Sequence, residues 1–73
     1  MPKLYSARRI VKALQRLGFT KVSQKSSHIK LRATFNAEVF TIIVPNHKEI
    51  ALGTLQSILK QAGITKEELE DRI

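Results

Sequence analysis

The chain has 73 residues, with 13 Lys or Arg and 6 Asp or Glu, which leaves room for one domain that we expect to span residues 1–73. It contains no cysteine, which excludes disulfides and thiolate metal sites and favours a cytoplasmic protein. Its apolar runs are far shorter than the roughly 20 residues that cross a bilayer, and residues 1–4 lack the apolar core of a secretory signal, so we expect no membrane association.

Residues 7–17 predict an amphipathic helix, because apolar side chains recur there at intervals of three and four residues. The apolar stripe consists of Ala7, Ile10, Val11, Leu14 and Leu17. The opposite, largely basic side consists of Arg8, Arg9, Lys12, Gln15 and Arg16. Ser6 is a suitable N-cap, and Gly18 followed by Phe19 predicts the end of the helix.

The apolar period then changes to two, which is typical of strands. In the clearest strand the inward set is Ile29, Leu31 and Ala33. The opposite face then presents His28, Lys30 and Arg32.

Two further strands flank this one. Residues 38–44 are rich in β-branched and aromatic side chains and end at Pro45, while Asn36 and Ala37 predict a hairpin before them. Residues 20–25 predict a weaker strand whose register the pattern leaves open.

After a loop at residues 46–52, a second helix is predicted by Leu55, Ile58, Leu59 and Ala62. Gly63 ends it, and the capping box of Thr65 and Glu68 begins a short third helix. The expected fold is therefore α+β, in the order helix, three-stranded antiparallel sheet, helix, short helix. Both longer helices cover one face of the sheet, and the other face stays open.

The charge is unevenly distributed. Residues 1–48 have ten Lys or Arg and one acid, a net charge of +9, whereas the remaining 25 residues have three bases and five acids, a net charge of −2. This asymmetry favours a polyanionic ligand for the first two thirds of the chain, although a protein that is merely basic is an open alternative.

His28 is the candidate catalytic residue. Cleavage of RNA needs a base for a 2′-hydroxyl, cations for the phosphate and an acid for the leaving 5′-oxygen. An imidazole exchanges protons near neutral pH, and Lys25, Lys30 and Arg32 provide the cations around it. The alternative is a solvated strand histidine without a function.

Other residues are weaker candidates. Ser26 and Ser27 could hydrogen-bond a phosphate near His28, and a role as turn residues explains them equally well. His47 could be the acid partner, a phosphate contact or a loop residue. Because no cysteine or carboxylate lies at ligand spacing around the histidines, we expect chemistry without a metal or other cofactor.

Two non-catalytic alternatives remain. A double-stranded-RNA-binding module with the same element order commonly contacts phosphates from the start of its last long helix. Here residues 51–55 contain no Lys or Arg, which counts against it. A module that binds only protein is the third possibility.

Three segments resemble the HicA family of toxins. Residues 24–28, QKSSH, resemble its G-S-H segment, with Ser26 in the place of the glycine. Residues 44–47, VPNH, and 53–64, GTLQSILKQAGI, resemble its P-x-H and G-T-L-x-x-I-L-x-Q-A-G-I signature. Residues 6–19 are similar to its first helix, so the resemblance covers nearly the whole chain.

This resemblance implies a double-stranded-RNA-binding-domain-like fold and a metal-independent mRNA interferase of a type II toxin–antitoxin pair. It places the family's catalytic histidine at His28. It also implies a HicB-type antitoxin that covers the His28 surface, and we expect the free toxin to be a monomer. Lys25, Ser27, Lys30, Arg32 and His47 are the expected RNA-binding residues.

Overall fold

The elements predicted from the sequence are present in the computed structural model, which describes residues 4–73. They are α1 (Ala7–Arg16), β1 (Thr20–Lys25), β2 (His28–Phe35), β3 (Glu38–Pro45), α2 (Leu52–Ala62) and α3 (Lys66–Glu70). The α+β class is confirmed, and three element boundaries differ from the expected ones. Leu52 lies in α2 and not in the loop, α1 ends at Arg16 with Leu17 as its C-cap, and β3 includes Pro45. Residues 1–3 lie outside the described residues, and with them most of the segment 1–4 in which no secretory signal is expected.

Helix α1 begins at its predicted N-cap Ser6, and its C-cap is Leu17, directly before the glycine that was expected to end the helix. The Ser6 Oγ accepts a hydrogen bond from the Arg9 backbone N–H at 3.2 Å. At the other end Gly18 has a φ of +111°, and the Phe19 N–H donates to the Leu14 carbonyl at 2.9 Å. Phe19 is thereby buried against the helix, and the chain turns into β1.

The sheet is an antiparallel meander in the order β1-β2-β3. Asn36 and Ala37 join β2 to β3, and both have the positive φ that a two-residue type I′ turn requires. Strands β2 and β3 pair without interruption, whereas the β1–β2 register shifts between Lys21 and Ser23. This bulge sets the register that the sequence pattern left open.

One face of the sheet forms the core with the helices. Its buried sheet residues are Ile29, Leu31, Ala33, Ile42 and Val44. Helices α1 and α2 bury Ile10, Leu14, Leu55 and Ile58. Strand β1 is exposed along its whole length, so the core depends on β2 and β3. The two-layer arrangement leaves the opposite face of the sheet open.

The start and the end of the described chain are connected. Tyr5 forms an isolated β-bridge with Ile50, and its hydroxyl donates to Glu70 Oε2 of α3 at 2.7 Å. This hydrogen bond to a carboxylate raises the pKa of Tyr5 above its usual value. The predicted capping box at Thr65 begins α3, whose Leu69 is fully buried.

Within residues 4–73, none of the helices is both long enough and apolar enough to cross a bilayer.

Candidate functional site

Strand β2 places three candidate residues on the open face of the sheet. Side chains alternate between faces along a strand, so burial of Ile29, Leu31 and Ala33 directs the residues between them outward. His28 and Arg32 are exposed, and Lys30 is half-buried. The rise of about 3.3 Å per residue separates successive outward positions by roughly 6.6 Å.

Lys25 lies directly across from His28. The two residues are Cα partners in the β1–β2 pair, on either side of the two-residue turn formed by Ser26 and Ser27. Directly opposed residues share a face, so Lys25 joins His28 on the open side. On the other side of β2, the partner of His28 is Pro45.

Ser27 contacts the imidazole of the residue that follows it. Its Oγ lies 2.9 Å from His28 Nδ1, within hydrogen-bond distance. The Ser27 carbonyl in turn accepts from the Asn46 backbone N–H at 2.9 Å, which ties the turn to the segment after β3. In the tautomer that carries a proton on Nδ1, that proton is donated to Ser27 and the lone pair of Nε2 remains free.

His47 is held at the same end of the sheet by its backbone. Its N–H donates to the Pro45 carbonyl, and its carbonyl accepts from the Ala7 N–H, both at 2.9 Å. The second bond satisfies one of the N–H groups that have no partner within α1. The His47 side chain is exposed and makes no hydrogen bond with another residue of the described part of the chain.

The open face also has an apolar half, whose residues were not among the candidates expected from the sequence. Val39 is 60% exposed and Ile43 is 39% exposed; they are the β3 partners of Thr34 and Lys30. The alternation that places Ile42 inward already predicts their outward orientation. Exposed apolar side chains of this kind are typical of surfaces that contact the faces of bases or a protein partner.

Two concave surfaces lie along α1, on the helix side of the molecule. One, of about 520 Å³, lies along α1 and has four cations among its lining residues, namely Arg8, Arg9, Lys12 and Arg16. A second, of about 300 Å³, lies between α1 and β1. His28 lines neither of these two surfaces; its side chain is exposed on the open face of the sheet, where a long ligand has room to lie across it.

Within residues 4–73, no three His, Asp or Glu side chains are grouped as metal ligands would be. The expectation of metal-independent chemistry stays a prediction. The groups that do meet are an imidazole, a hydroxyl and an ammonium side chain, with further cations along β2. This set can exchange a proton and hold an anion.

Comparison with protein families identifies the chain. A family model described as the HicA toxin of bacterial toxin–antitoxin systems matches residues 7–64, from the start of α1 to the residue after Gly63. No individually curated protein matches the sequence. The matched segment contains the whole sheet and both longer helices, well over half of the chain. The protein therefore belongs to the HicA toxin family of bacterial toxin–antitoxin systems.

Proposed function

We propose that this toxin is an endoribonuclease that cleaves mRNA in the cytoplasm, with His28 as its catalytic acid and base. The observation that supports it best is the exposed His28 imidazole, which is hydrogen-bonded to Ser27 and lies opposite Lys25 on an uncovered sheet face. Membership of a toxin family makes a chemical attack on a cellular target the expected activity.

The proposed reaction uses the 2′-hydroxyl of RNA. His28 Nε2 takes the 2′-hydroxyl proton, the 2′-oxygen attacks the adjacent phosphorus, and the bond from phosphorus to the 5′-oxygen breaks. The 5′-oxygen then takes up a proton, and the products are a 2′,3′-cyclic phosphate and a 5′-hydroxyl. A single imidazole can take the first proton and return it, which requires no metal or other cofactor.

The neighbouring residues bind the RNA chain. Lys25 lies beside the reacting phosphate in this proposal and stabilises its developing charge. Lys30 and Arg32 continue the basic surface along β2 and contact the next phosphates. Ser27 and His47 lie at the end of the sheet where the reaction occurs, and His47 contacts a phosphate there.

The proposed protein partner is a HicB-type antitoxin that covers the His28 face. Cations next to the exposed Val39 and Ile43 suit a partner surface with both acidic and apolar side chains. Such a partner inhibits the toxin by excluding RNA. In its absence we expect the toxin to be a monomer.

Substitution of His28 tests this function. We expect purified His28→Ala protein to lose RNA cleavage while its circular dichroism and urea midpoint stay close to those of the wild type, because an exposed strand position contributes little packing. Its expression should no longer arrest growth or fragment mRNA. Thr34→Ala is the matched control, since Thr34 is exposed at the far end of the same face of β2.

The alternative is a non-catalytic module that binds double-stranded RNA. The first turn of α2 offers it no cation, because Leu52, Gly53, Thr54 and Leu55 form that turn. A gel assay that compares duplex binding with single-strand cleavage separates the two functions. Wild-type cleavage rates in the His28→Ala protein would refute the catalytic assignment.

A substitution of His47 tests its proposed contact with a phosphate. His47→Ala should weaken RNA binding and leave cleavage at saturating RNA intact.

A further inference from the structure

A polar groove lies between α1 and β1, away from the open face. Six polar residues line it together with two apolar ones, and it encloses about 300 Å³. The six are Arg8, Lys12, Gln15, Lys21, Gln24 and Asn46. We call it the α1–β1 groove.

Three of the residues that line the groove are positively charged. Arg8 and Lys12 are four residues apart on α1 and therefore lie on the same side of the helix. Lys21 pairs with the buried Leu31, which places it on the helix side of the sheet, and its Nζ donates to Gln24 Oε1 at 3.0 Å. None of the described residues that line the groove is acidic. Three cations in a concave surface attract an anionic ligand.

The groove connects with the His28 site. Asn46 lines the groove, and its backbone N–H donates to the carbonyl of Ser27, the residue that contacts the imidazole. Strand β1 is an edge strand and is exposed along its whole length. Around this edge of the sheet, β1 and its turn lie between the groove and the open face.

We infer that the α1–β1 groove binds the phosphates of RNA that flank the cleaved position, and that one RNA strand passes from it around the Ser26–Ser27 turn to His28. The ligand class rests on the proposed function. The groove favours RNA over an acidic protein because three amide side chains line it together with the cations and can hydrogen-bond sugars and bases between the phosphates.

Binding of RNA that cannot be cleaved tests this inference. The probe is 2′-O-methyl RNA, whose blocked 2′-oxygen prevents the proposed reaction, so the result does not depend on catalysis by His28. Probes of about 4 and about 16 nucleotides bracket the site sizes of single-strand binding folds. The test variant combines Arg8→Ala, Lys12→Ala and Lys21→Ala. The control variant combines Lys60→Ala, Lys66→Ala and Arg72→Ala, which removes the same charge from the C-terminal third.

For the long probe, we measure the slope of the logarithm of the binding constant against the logarithm of the salt concentration. We expect this slope to become shallower by about 2 in the test variant, because each of the three removed cations accounts for roughly 0.7. The wild type should also bind the long probe at least about tenfold more tightly than the short one, and the test variant should lose most of that difference. The control should keep both properties. Equal slopes in the two variants would overturn the inference, as would unchanged RNA affinity together with a loss of affinity for the antitoxin.

Discussion

At the residue scale, the site depends on the contact between Ser27 and His28. Adjacent residues in a strand point to opposite faces, but Ser27 belongs to the turn before β2, and its hydroxyl reaches the imidazole Nδ1 at 2.9 Å. The Asn46 N–H fixes the Ser27 backbone from the other side. Ser27 is thus placed to set the tautomer and the orientation of the ring.

We predict that Ser27→Ala lowers kcat by roughly three- to tenfold, which corresponds to the loss of one hydrogen bond of about 1 kcal/mol. The pH profile of kcat is a second readout, because the Ser27 hydroxyl contacts the Nδ1 atom of the ring. Ser27→Thr, which keeps a hydroxyl, should restore much of the activity. RNA cleavage kinetics between about pH 5 and 8 provide the measurement.

A different role of Ser27 would give a different result. If Ser27→Ala raises KM while kcat and its pH profile stay at the wild-type values, the hydroxyl contacts a phosphate and does not orient His28.

At the scale of elements, α3 is the part of the fold that lies beyond the family match. The match ends at residue 64, whereas α3 spans Lys66–Glu70. Leu69 is nevertheless fully buried, and Glu70 accepts a hydrogen bond from Tyr5 before α1. This short helix therefore closes one end of the core, although it is far too short to be stable alone.

We predict that Leu69→Ala destabilises the protein by about 2–5 kcal/mol, because it removes a large buried side chain and leaves a cavity. Urea unfolding followed by circular dichroism measures this change. Lys66→Ala, an exposed substitution in the same helix, should stay within about 0.5 kcal/mol of the wild type. If both variants unfold at the wild-type midpoint, α3 does not pack on the core as described.

At the scale of the whole molecule, basic side chains occupy both sides of a thin structure. The molecule measures 38 × 28 × 18 Å, and its shortest dimension corresponds to the two layers. Lys30 and Arg32 lie on the open face of the sheet, and the α1 cations lie on the helix side. The molecule, whose net charge is +7, therefore has two basic surfaces, one on each side of the sheet, and they meet around β1.

We predict that the double variant Lys30→Ala, Arg32→Ala binds RNA more weakly and with a salt slope shallower by about 1.4, at roughly 0.7 for each phosphate that Lys30 and Arg32 neutralise. The double variant Lys60→Ala, Lys66→Ala has the same net charge and should keep the wild-type slope, because its substitutions lie in α2 and α3. Fluorescence anisotropy at several salt concentrations measures both slopes. If the slope decreases equally in the two variants, net charge and not position governs binding.

Sequence patterns predicted much of this structure correctly. The caps at Ser6 and Thr65, the hairpin at Asn36 and Ala37, and the sidedness of β2 all follow from local rules and are confirmed. The family resemblance is confirmed over residues 7–64. The catalytic and RNA-binding roles assigned to His28 and the residues around it stay predictions.

The sequence by itself determined the type of each element and the face on which His28, Lys30 and Arg32 lie, because backbone periodicity fixes side-chain direction within one segment. The tertiary structure alone decided three other features. The bulge at Lys21 to Ser23 sets the β1 register, the bond from Ala7 to His47 positions the segment after β3, and the packing of α1 beside β1 creates the groove. Each of these depends on contacts between separate segments, and local periodicity does not encode such contacts.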